Sequence, residues 1–279
     1  MAIYPTFKNR LPTQVGFGLR PCHYSFIETE RPNVPWFEVL TDNYLRQQGL
    51  DFYHLEKVCD AYAITLHGIG LSLGSTDLLN QDYLRQLKSL VQRTQPLMVS
   101  DHLCWTSFNK QYFHELLPLP YTEEAVHHLA NRIRYVQDFL GQQIMVENVS
   151  TYLQFTHSTL KEWDFIQAVA EEADCLILLD INNIYVSAYN NNFEPQHYLT
   201  KLPATRIGQL HLAGFSDLGT HLLDTHSASI HPPVWSLFEE AIKHFGALPT
   251  IIEWDNKIPA FPRLQEEAQT AQKIMDMYA

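Results

Sequence analysis

The chain has 279 residues, of which 46% are hydrophobic and 12% aromatic, and this composition excludes a disordered or fibrous protein. Its 31 acidic residues outnumber 19 basic ones, giving a formal net charge of −12, which excludes the Lys/Arg footprint that a nucleic-acid backbone requires. No apolar run is long enough for a transmembrane helix, and the N-terminus lacks the apolar core of a signal peptide. We therefore expect a cytoplasmic protein that contacts neither membrane nor nucleic acid.

Short apolar runs rich in β-forming residues recur about every 33 residues, the spacing of a strand plus a crossover helix. They are Val15–Leu19, Trp36–Leu40, Ala63–Leu66, Leu97–Ser100, Gln143–Val146, Leu176–Leu179, Ile207–Leu210 and Thr250–Ile252. Helical patterns fill most gaps, most clearly at Tyr121–Leu140, Pro232–Phe245 and Pro262–Tyr278. This alternation predicts an α/β fold, a (β/α)8 TIM-type barrel forming a single domain over residues 1–279. The loops after the fourth and seventh strands exceed what a crossover requires, and such loops are often functional.

Polar side chains stand at the C-terminal end of every one of these runs. In chain order they are Arg20 and His23, Glu38 and Asn43, His67, Asp101 and His102, Glu147 and Asn148, Asp180 with Asn182 and Asn183, His211, and Glu253 with Asp255. In such barrels the catalytic groups come from these strand ends, so we expect the side chains to converge at one mouth. His211 alternates with leucines that would face the helix layer, so it should point into the barrel. Asp224 and His226 would project to the same side of an extended chain.

Imidazole mixed with carboxylate and amide oxygen suits transition metals such as iron, zinc or manganese. The histidines and acids at the strand ends exceed one six-coordinate sphere, and a carboxylate can bridge two ions, so we predict two or three metals. The four cysteines form no C-x-x-C pair and take no clear ligand position. Each residue alone has an ordinary interpretation, such as Glu147 or Asp180 capping the helix that follows. Their recurrence at every strand end favours the metal site.

The glycines that follow His67 superficially resemble a phosphate-binding loop. They lack both the G-x-G-x-x-G order and a Walker lysine, so we do not predict nucleotide binding. We expect them instead to permit a sharp turn or a close approach of the backbone to a cofactor.

Several motifs occur in a characteristic order along the chain. They are His67-Gly-Ile-Gly-Leu-Ser-Leu-Gly-Ser75, Ser100-Asp-His-Leu-Cys-Trp105, Val146-Glu-Asn-Val-Ser150, Leu179-Asp-Ile-Asn-Asn-Ile-Tyr-Val-Ser187, His211-Leu-Ala-Gly214, Asp224-Thr-His226 and Ile252-Glu-Trp-Asp-Asn256. With these motifs the sequence resembles the MbnB/TglH/ChrH family of multinuclear non-haem iron-dependent oxidative enzymes. The resemblance extends from about residue 15 to residue 262, essentially the whole chain.

The resemblance implies two or three iron ions per chain, in mixed Fe2+ and Fe3+ states, with dioxygen as the co-substrate. Members of the family oxidatively modify cysteine residues in ribosomally made precursor peptides, usually with a partner protein that binds the leader segment. Carried over by matching motif, the metal ligands would be His67, His102, Glu147, Asp180, Asn183, His211, Asp224, His226 and Glu253. Asp255 and Asn148 would be catalytic residues that handle protons or orient the ligands.

Two other classes stay open at the sequence level. A zinc- or manganese-dependent sugar isomerase or phosphoesterase of the xylose isomerase-like barrel type would use the same ligand types. No lysine joins the ring for sugar chemistry, and the net charge disfavours a nuclease. A protein that binds metal without turnover is the third possibility, and activity on a cysteine peptide would separate it from the enzyme.

Overall fold

Eight parallel strands form a closed barrel in the computed structural model, which describes residues 11–278. The strands are β1 (Val15–Leu19), β2 (Trp36–Leu40), β3 (Ala63–Gly68), β4 (Val99–His102), β5 (Met145–Glu147), β6 (Leu176–Asp180), β7 (Ile207–Leu212) and β8 (Thr250–Ile252). Each strand pairs with its neighbours in chain order, and β1 pairs with β8 to close the ring. The predicted TIM-type barrel is confirmed. The first ten residues, on which the expectation about a signal peptide rests, lie outside the described part of the chain.

Helices connect the strands and surround the barrel. They are α1 (Tyr24–Glu30), α2 (Leu50–Ala61), α3 (Gln81–Thr94), α4 (Glu123–Leu140), α5 (Glu162–Ala173), α6 (Ile181–Asn191), α7 (Gln196–Lys201), α8 (Pro232–Phe245) and α9 (Phe261–Met277). The helix predicted from Tyr121 begins two residues later because Thr122 caps it, accepting a hydrogen bond from the Ala125 N–H at 3.2 Å. Gly141, with φ of +78°, ends that helix. None of the helices within residues 11–278 is both long and apolar enough to cross a bilayer.

The inside of the barrel is layered. At the strand starts an apolar plug closes the barrel, and we define it as Trp36, Met145, Leu176, Leu178 and Ile251. Gly16 faces this plug, and a Cβ there would lie 2.7 Å from the Trp36 indole. In each strand, the residues that alternate with the inward-facing ones point outward and pack against the helices. Alternation therefore assigns one side of each strand to the barrel interior and the other to the helix layer.

Five strands end one or two residues later than the sequence predicts. The third, sixth and seventh end at Gly68, Asp180 and Leu212. The fourth is Val99–His102 rather than Leu97–Ser100, and the fifth is Met145–Glu147 rather than Gln143–Val146. In each case the strand extends through a polar residue, since inward-facing polar side chains find partners across the barrel mouth. The candidate ligands consequently lie in or directly after the strands.

Both long loops carry an antiparallel hairpin. The loop after β4 forms Trp105–Phe108 paired with Gln111–Leu117, and we call this pair the β4 hairpin. The loop after β7 forms a smaller pair, Ser216–Asp217 with Leu222–Leu223. Residues from both hairpins border the cavity at the C-terminal mouth of the barrel.

Candidate metal centre

Two histidines point at one carboxylate where β3, β4 and β5 end. The Nε2 atoms of His67 and His102 lie 3.0 and 3.1 Å from Glu147 Oε2, and all three side chains are buried. His102 Nδ1 donates to the Gly68 carbonyl oxygen at 3.0 Å. His67 Nδ1 lies 2.8 Å from the Ser100 hydroxyl, which donates its own proton to a backbone carbonyl. Both rings therefore carry their proton on Nδ1 and turn Nε2 inward, the orientation that a metal-binding histidine needs.

His211 lies at the centre of the mouth, fully buried as its alternation with leucines predicts. Its Nδ1 lies 2.9 Å from Glu253 Oε2 and 3.4 Å from Glu147 Oε1. Its Nε2 lies 2.7 Å from Glu38 Oε1, and Glu38 in turn accepts a hydrogen bond from Gln209 at 2.6 Å. Glu38 was recognised at the end of a strand but not among the expected ligands. Its signal in the sequence is a single acid at an inward position of an otherwise apolar strand.

The segment after β7 contributes a third group. His226 Nε2 lies 2.8 Å from Asp224 Oδ1, and His226 Nδ1 lies 3.1 Å from Asp255 Oδ2 and 3.3 Å from Glu253 Oε2. The two side chains of this loop do meet, but not in an extended chain, because His226 has a left-handed backbone with φ of +44°. The N–H groups of Asp255 and Asn256 donate to the His226 carbonyl oxygen, so the start of the β8 loop holds this conformation.

Arg20 is the cation that organises the acids after β8. Its guanidinium Nη2 donates to Asp255 Oδ1 at 2.6 Å and lies 3.5 Å from Glu253 Oε1. Its Nε donates to the Trp254 carbonyl oxygen at 2.8 Å. The buried fork thus fixes both carboxylates relative to β1.

Asp180 combines helix capping with a place in the cluster. Its Oδ1 accepts the backbone N–H of Asn183 at 2.6 Å and so caps α6, while its Oδ2 faces the histidines. Asn148 holds the Asp180 backbone through two hydrogen bonds, of 2.8 and 3.1 Å. The Asn183 carboxamide borders the mouth cavity but is bonded to the Asn148 carbonyl and to a serine hydroxyl. Asn182, not expected as a ligand, donates to Asp224 Oδ1 at 2.7 Å.

The possible ligands form four overlapping triads whose ligand atoms lie within 4.8 Å of one another. The triads are His67 with His102 and Glu147, Glu147 with Asp180 and His211, Asp180 with His226 and Glu253, and Glu38 with His211 and Glu253. Glu147 links the first triad to the second, and Asp180 links the second to the third. Shared carboxylates of this kind are the arrangement that a multinuclear centre requires, because a carboxylate can bridge two ions.

Unpaired buried atoms test whether these residues fit a metal. Within the described chain, the following cluster atoms are buried and lack a hydrogen bond of good geometry: Glu147 Oε2, Asp180 Oδ2, His211 Nδ1, and both ring nitrogens of His226. Burying such atoms without a partner is costly, and native structures rarely do so. Bound cations would satisfy the two carboxylate oxygens, His211 Nδ1 and one nitrogen of His226, whose other nitrogen would donate its proton to the carboxylate beside it, so the residues fit a multinuclear metal centre.

The electrostatics of the cluster also favour cations. Burial lowers the pKa of His67, but the neighbouring Glu147 carboxylate outweighs this effect and raises it to about 9. Burial likewise opposes protonation of His211, while Glu38 and other nearby carboxylates bring its pKa well above the usual value. Burial raises the pKa of Asp180 well above the usual carboxyl range, and Glu147 adds to this. The carboxyl groups of the site therefore exceed what its histidines neutralise, which favours the binding of cations.

A cavity of about 770 Å³ opens above the cluster. Its lining includes the buried His67, His102 and His226 as well as Tyr152 and residues 112–116 of the β4 hairpin. No lysine or arginine occurs among its described lining residues. The side chains that could carry positive charge along the described lining are therefore histidines.

The histidines outside the predicted ligand set have different surroundings. His114, on the β4 hairpin, lines the mouth cavity. His23 Nε2 donates to the Pro259 carbonyl oxygen at 2.8 Å, and His231 stacks on Phe215 with ring centroids 3.9 Å apart. His114 is thus the loop histidine with access to the centre.

The glycines after His67 serve packing against protein side chains. A Cβ on Gly68 would lie 2.8 Å from Asp101 Oδ2, and one on Gly70 would lie 2.3 Å from the Tyr83 ring. The close approach expected of these glycines is therefore made to neighbouring side chains, and neither has a positive φ.

Solved structures with the same architecture have low sequence identity to this chain. Endonuclease IV from Thermus thermophilus superposes with a TM-score of 0.59 at 13% identity, covering 95% of this chain and 100% of that one. A 3-keto-D-glucoside 4-epimerase from E. coli gives a TM-score of 0.58 at 13% identity, covering 94% and 98%. These similarities show the barrel fold alone.

Sequence relatives are much closer. A UPF0276 protein of Acaryochloris marina is 54% identical over 256 residues, covering 92% of each chain. A UPF0276 protein of Anaeromyxobacter is 47% identical over 259 residues, covering 93% of this chain and 92% of the relative. The profile of the family described as RiPP precursor modification enzyme MbnB/TglH/ChrH matches residues 14–276. The chain therefore belongs to the MbnB/TglH/ChrH family.

Proposed function

We propose that this protein is an enzyme that uses two or three iron ions and dioxygen to oxidise a cysteine residue in a ribosomally made peptide. The observation that carries the proposal is the row of buried triads joined through Glu147 and Asp180. Membership of a family described as modifying peptide precursors supports the substrate class. The proposal also includes a separate partner protein that binds the leader segment of the precursor.

The ligand types and their grouping indicate which residues would hold the metals. His67, His102 and Glu147 would hold one ion, and His211 with Glu147 and Asp180 a second. Asp180, Glu253 and His226 would hold a third ion, with Asp224, another expected ligand, beside His226. Bound iron would supply the one-electron chemistry with dioxygen that cysteine oxidation requires, and imidazole with carboxylate suits that metal.

The protein's own groups orient the centre and handle protons. The Nδ1 hydrogen bonds of His67 and His102 fix the inward Nε2 atoms, and such supporting bonds also raise the basicity of the ligand. The Asp255 side chain is 36% exposed where it borders the cavity, while Arg20 fixes its other oxygen. Asp255 Oδ2 is therefore placed to accept the proton of an entering cysteine thiol. Asn148 acts from behind by fixing the Asp180 backbone.

The cavity is large enough for a segment of peptide. Its volume of about 770 Å³ lies within the range of sites that enclose ligands larger than a single amino acid. Exposed aromatic side chains line it, and no described lining residue is a lysine or arginine. This lining suits a peptide, whereas the phosphoesterase alternative would rely on the metals to bind its phosphate.

Elemental analysis of anaerobically purified protein, by inductively coupled plasma mass spectrometry, is the first test. We expect two to three irons per chain in the wild type and fewer in Glu147→Ala and His211→Ala, whereas the exposed His127→Ala serves as the matched histidine control. Stoichiometric zinc or manganese that iron cannot replace would favour the isomerase or hydrolase class. Bound iron without oxidation of any cysteine peptide would favour metal binding without turnover.

A further inference from the structure

The β4 hairpin has one unpaired edge. Its second strand, Gln111–Leu117, pairs with Trp105–Phe108 and with no other strand in the described chain, and the register shifts between Trp105 and Ser107, so that residues 113–116 stand opposite Thr106 alone. Beyond this ladder, no hydrogen bond recorded for residues 11–278 reaches the backbone of Gln111–Leu117. An exposed strand edge of this kind presents a row of free N–H and C=O groups that can pair with another extended chain.

The free edge runs along the cavity at the C-terminal mouth of the barrel. Residues 112–116, five in succession, border that cavity, whereas Thr106 is the residue that the first strand of the hairpin contributes. Residues 113–116 lie in the irregular part of the ladder, so the whole run borders the cavity and not only every second side chain. His67 and His102 line the same cavity, so a chain added along this run would lie beside them.

The chemistry around this edge selects the occupant. Tyr112 and Phe113 are 64% and 40% exposed, and Tyr152, which lines the same cavity, is 43% exposed. Besides the acids of the candidate metal centre, the lining contains the acidic Asp42 and Glu115, with no lysine or arginine among the described lining residues. A chain entering here meets aromatic surface and negative charge, which suits a peptide with a lysine or arginine near its cysteine and disfavours an acidic one.

We propose that the substrate peptide binds as an added β-strand on the free edge of Gln111–Leu117, with its cysteine directed down into the metal cavity. This inference rests on the proposed function for the identity of the substrate. Main-chain hydrogen bonds to the edge supply affinity that depends little on sequence, and alternate side chains of the peptide enter the cavity. The enzyme therefore tolerates variation at the positions directly beside the cysteine and discriminates two residues away, where side chains share its face.

A binding selection tests this arrangement. The probe is a pool of nonapeptides with a central cysteine and randomised flanks, applied to iron-loaded full-length protein without oxygen so that no turnover occurs. The variants are Phe113→Pro and His114→Pro, each of which removes one N–H group from the part of the strand that is out of register with Trp105–Phe108. Phe113→Ala and His114→Ala are the matched controls that change the same side chains but keep the N–H.

We expect the selected peptides to bind one proline variant at least roughly tenfold more weakly than its alanine control, the cost of about one hydrogen bond with its neighbours displaced. Because proline can disturb the hairpin, hydrogen exchange on the wild type gives a second measurement. Bound peptide should slow exchange at alternate amides within Gln111–Leu117.

The outcomes separate docking from chemistry. Peptides that are retained with protected amides but stay unoxidised when oxygen is admitted would refute the proposed function and leave the docking intact. Peptides that are oxidised while the Gln111–Leu117 amides exchange as before would refute the docking and leave the function intact. Retention of no peptide by the wild type overturns the docking proposal.

Discussion

Replacement of Glu162 by glutamine should remove a defined pH dependence of stability. Glu162 opens α5 and is 7% exposed, and burial raises its pKa from 4.5 to about 7 despite hydrogen bonds with Tyr198 and Tyr121. The folded protein therefore binds this proton more tightly than the unfolded chain. Ionisation of Glu162 opposes folding, so its contribution to stability is full below about pH 4.5 and is lost as the pH rises to 7. A shift of this size corresponds to about 3 kcal/mol.

Urea unfolding between pH 4.5 and pH 8 measures this effect. The difference in unfolding free energy, wild type minus Glu162→Gln, should fall by about 3 kcal/mol across that range, since both proteins share every other titrating group. Glu171→Gln, exposed on the same helix, is the matched control for the change from a carboxyl to an amide group. A Glu162 difference that stays within about 1 kcal/mol throughout, or rises with pH, would refute the assignment of a buried acid with raised pKa.

Three further predictions follow from the barrel interior and the centre. Gly16→Ala should lower the unfolding free energy by about 1 to 3 kcal/mol, because its Cβ would lie 2.7 Å from the Trp36 indole. In a Trp36→Phe background the loss of unfolding free energy should be smaller. Equal losses in both backgrounds would contradict the overpacking argument. Glu38→Ala should weaken iron retention against a chelator by about 10- to 100-fold through loss of its contact with His211 Nε2, and unchanged retention would remove Glu38 from the centre. Asp255→Asn should keep its iron but lower cysteine-peptide turnover by about 100-fold, and wild-type turnover would exclude the proton-accepting role.

Strand periodicity accounts for how much of the centre was predictable. Alternate residues of a strand point to the same side, so Glu147 shares the inward side of its strand with the apolar Met145, and Asp180 shares it with Leu178. His211 followed from the same alternation. Local pattern was sufficient in these cases because a barrel strand has only two sides.

Other features depend on contacts between distant segments, which no local pattern contains. The left-handed backbone of His226 is held by N–H groups from the β8 loop, some thirty residues further on. The role of Glu38 depends on where His211 Nε2 points once Nδ1 faces the acids. The sequence predicted long loops after the fourth and seventh strands, but a free hairpin edge beside the cavity follows only from the three-dimensional pairing.

The apolar plug closes the barrel at the strand starts, which leaves the C-terminal mouth as the route to the candidate metal centre. Under the proposed function, metal ions, dioxygen, substrate and product would share the mouth, since Trp36 and Met145 block passage from the strand starts. A peptide seated over that mouth would cover the exit of the metals as well as their reaction space. The order of binding would then matter, because the metals would have to bind before the peptide, and a bound peptide would slow their loss. In this way the bound substrate would itself help to retain the metal ions while it is being converted.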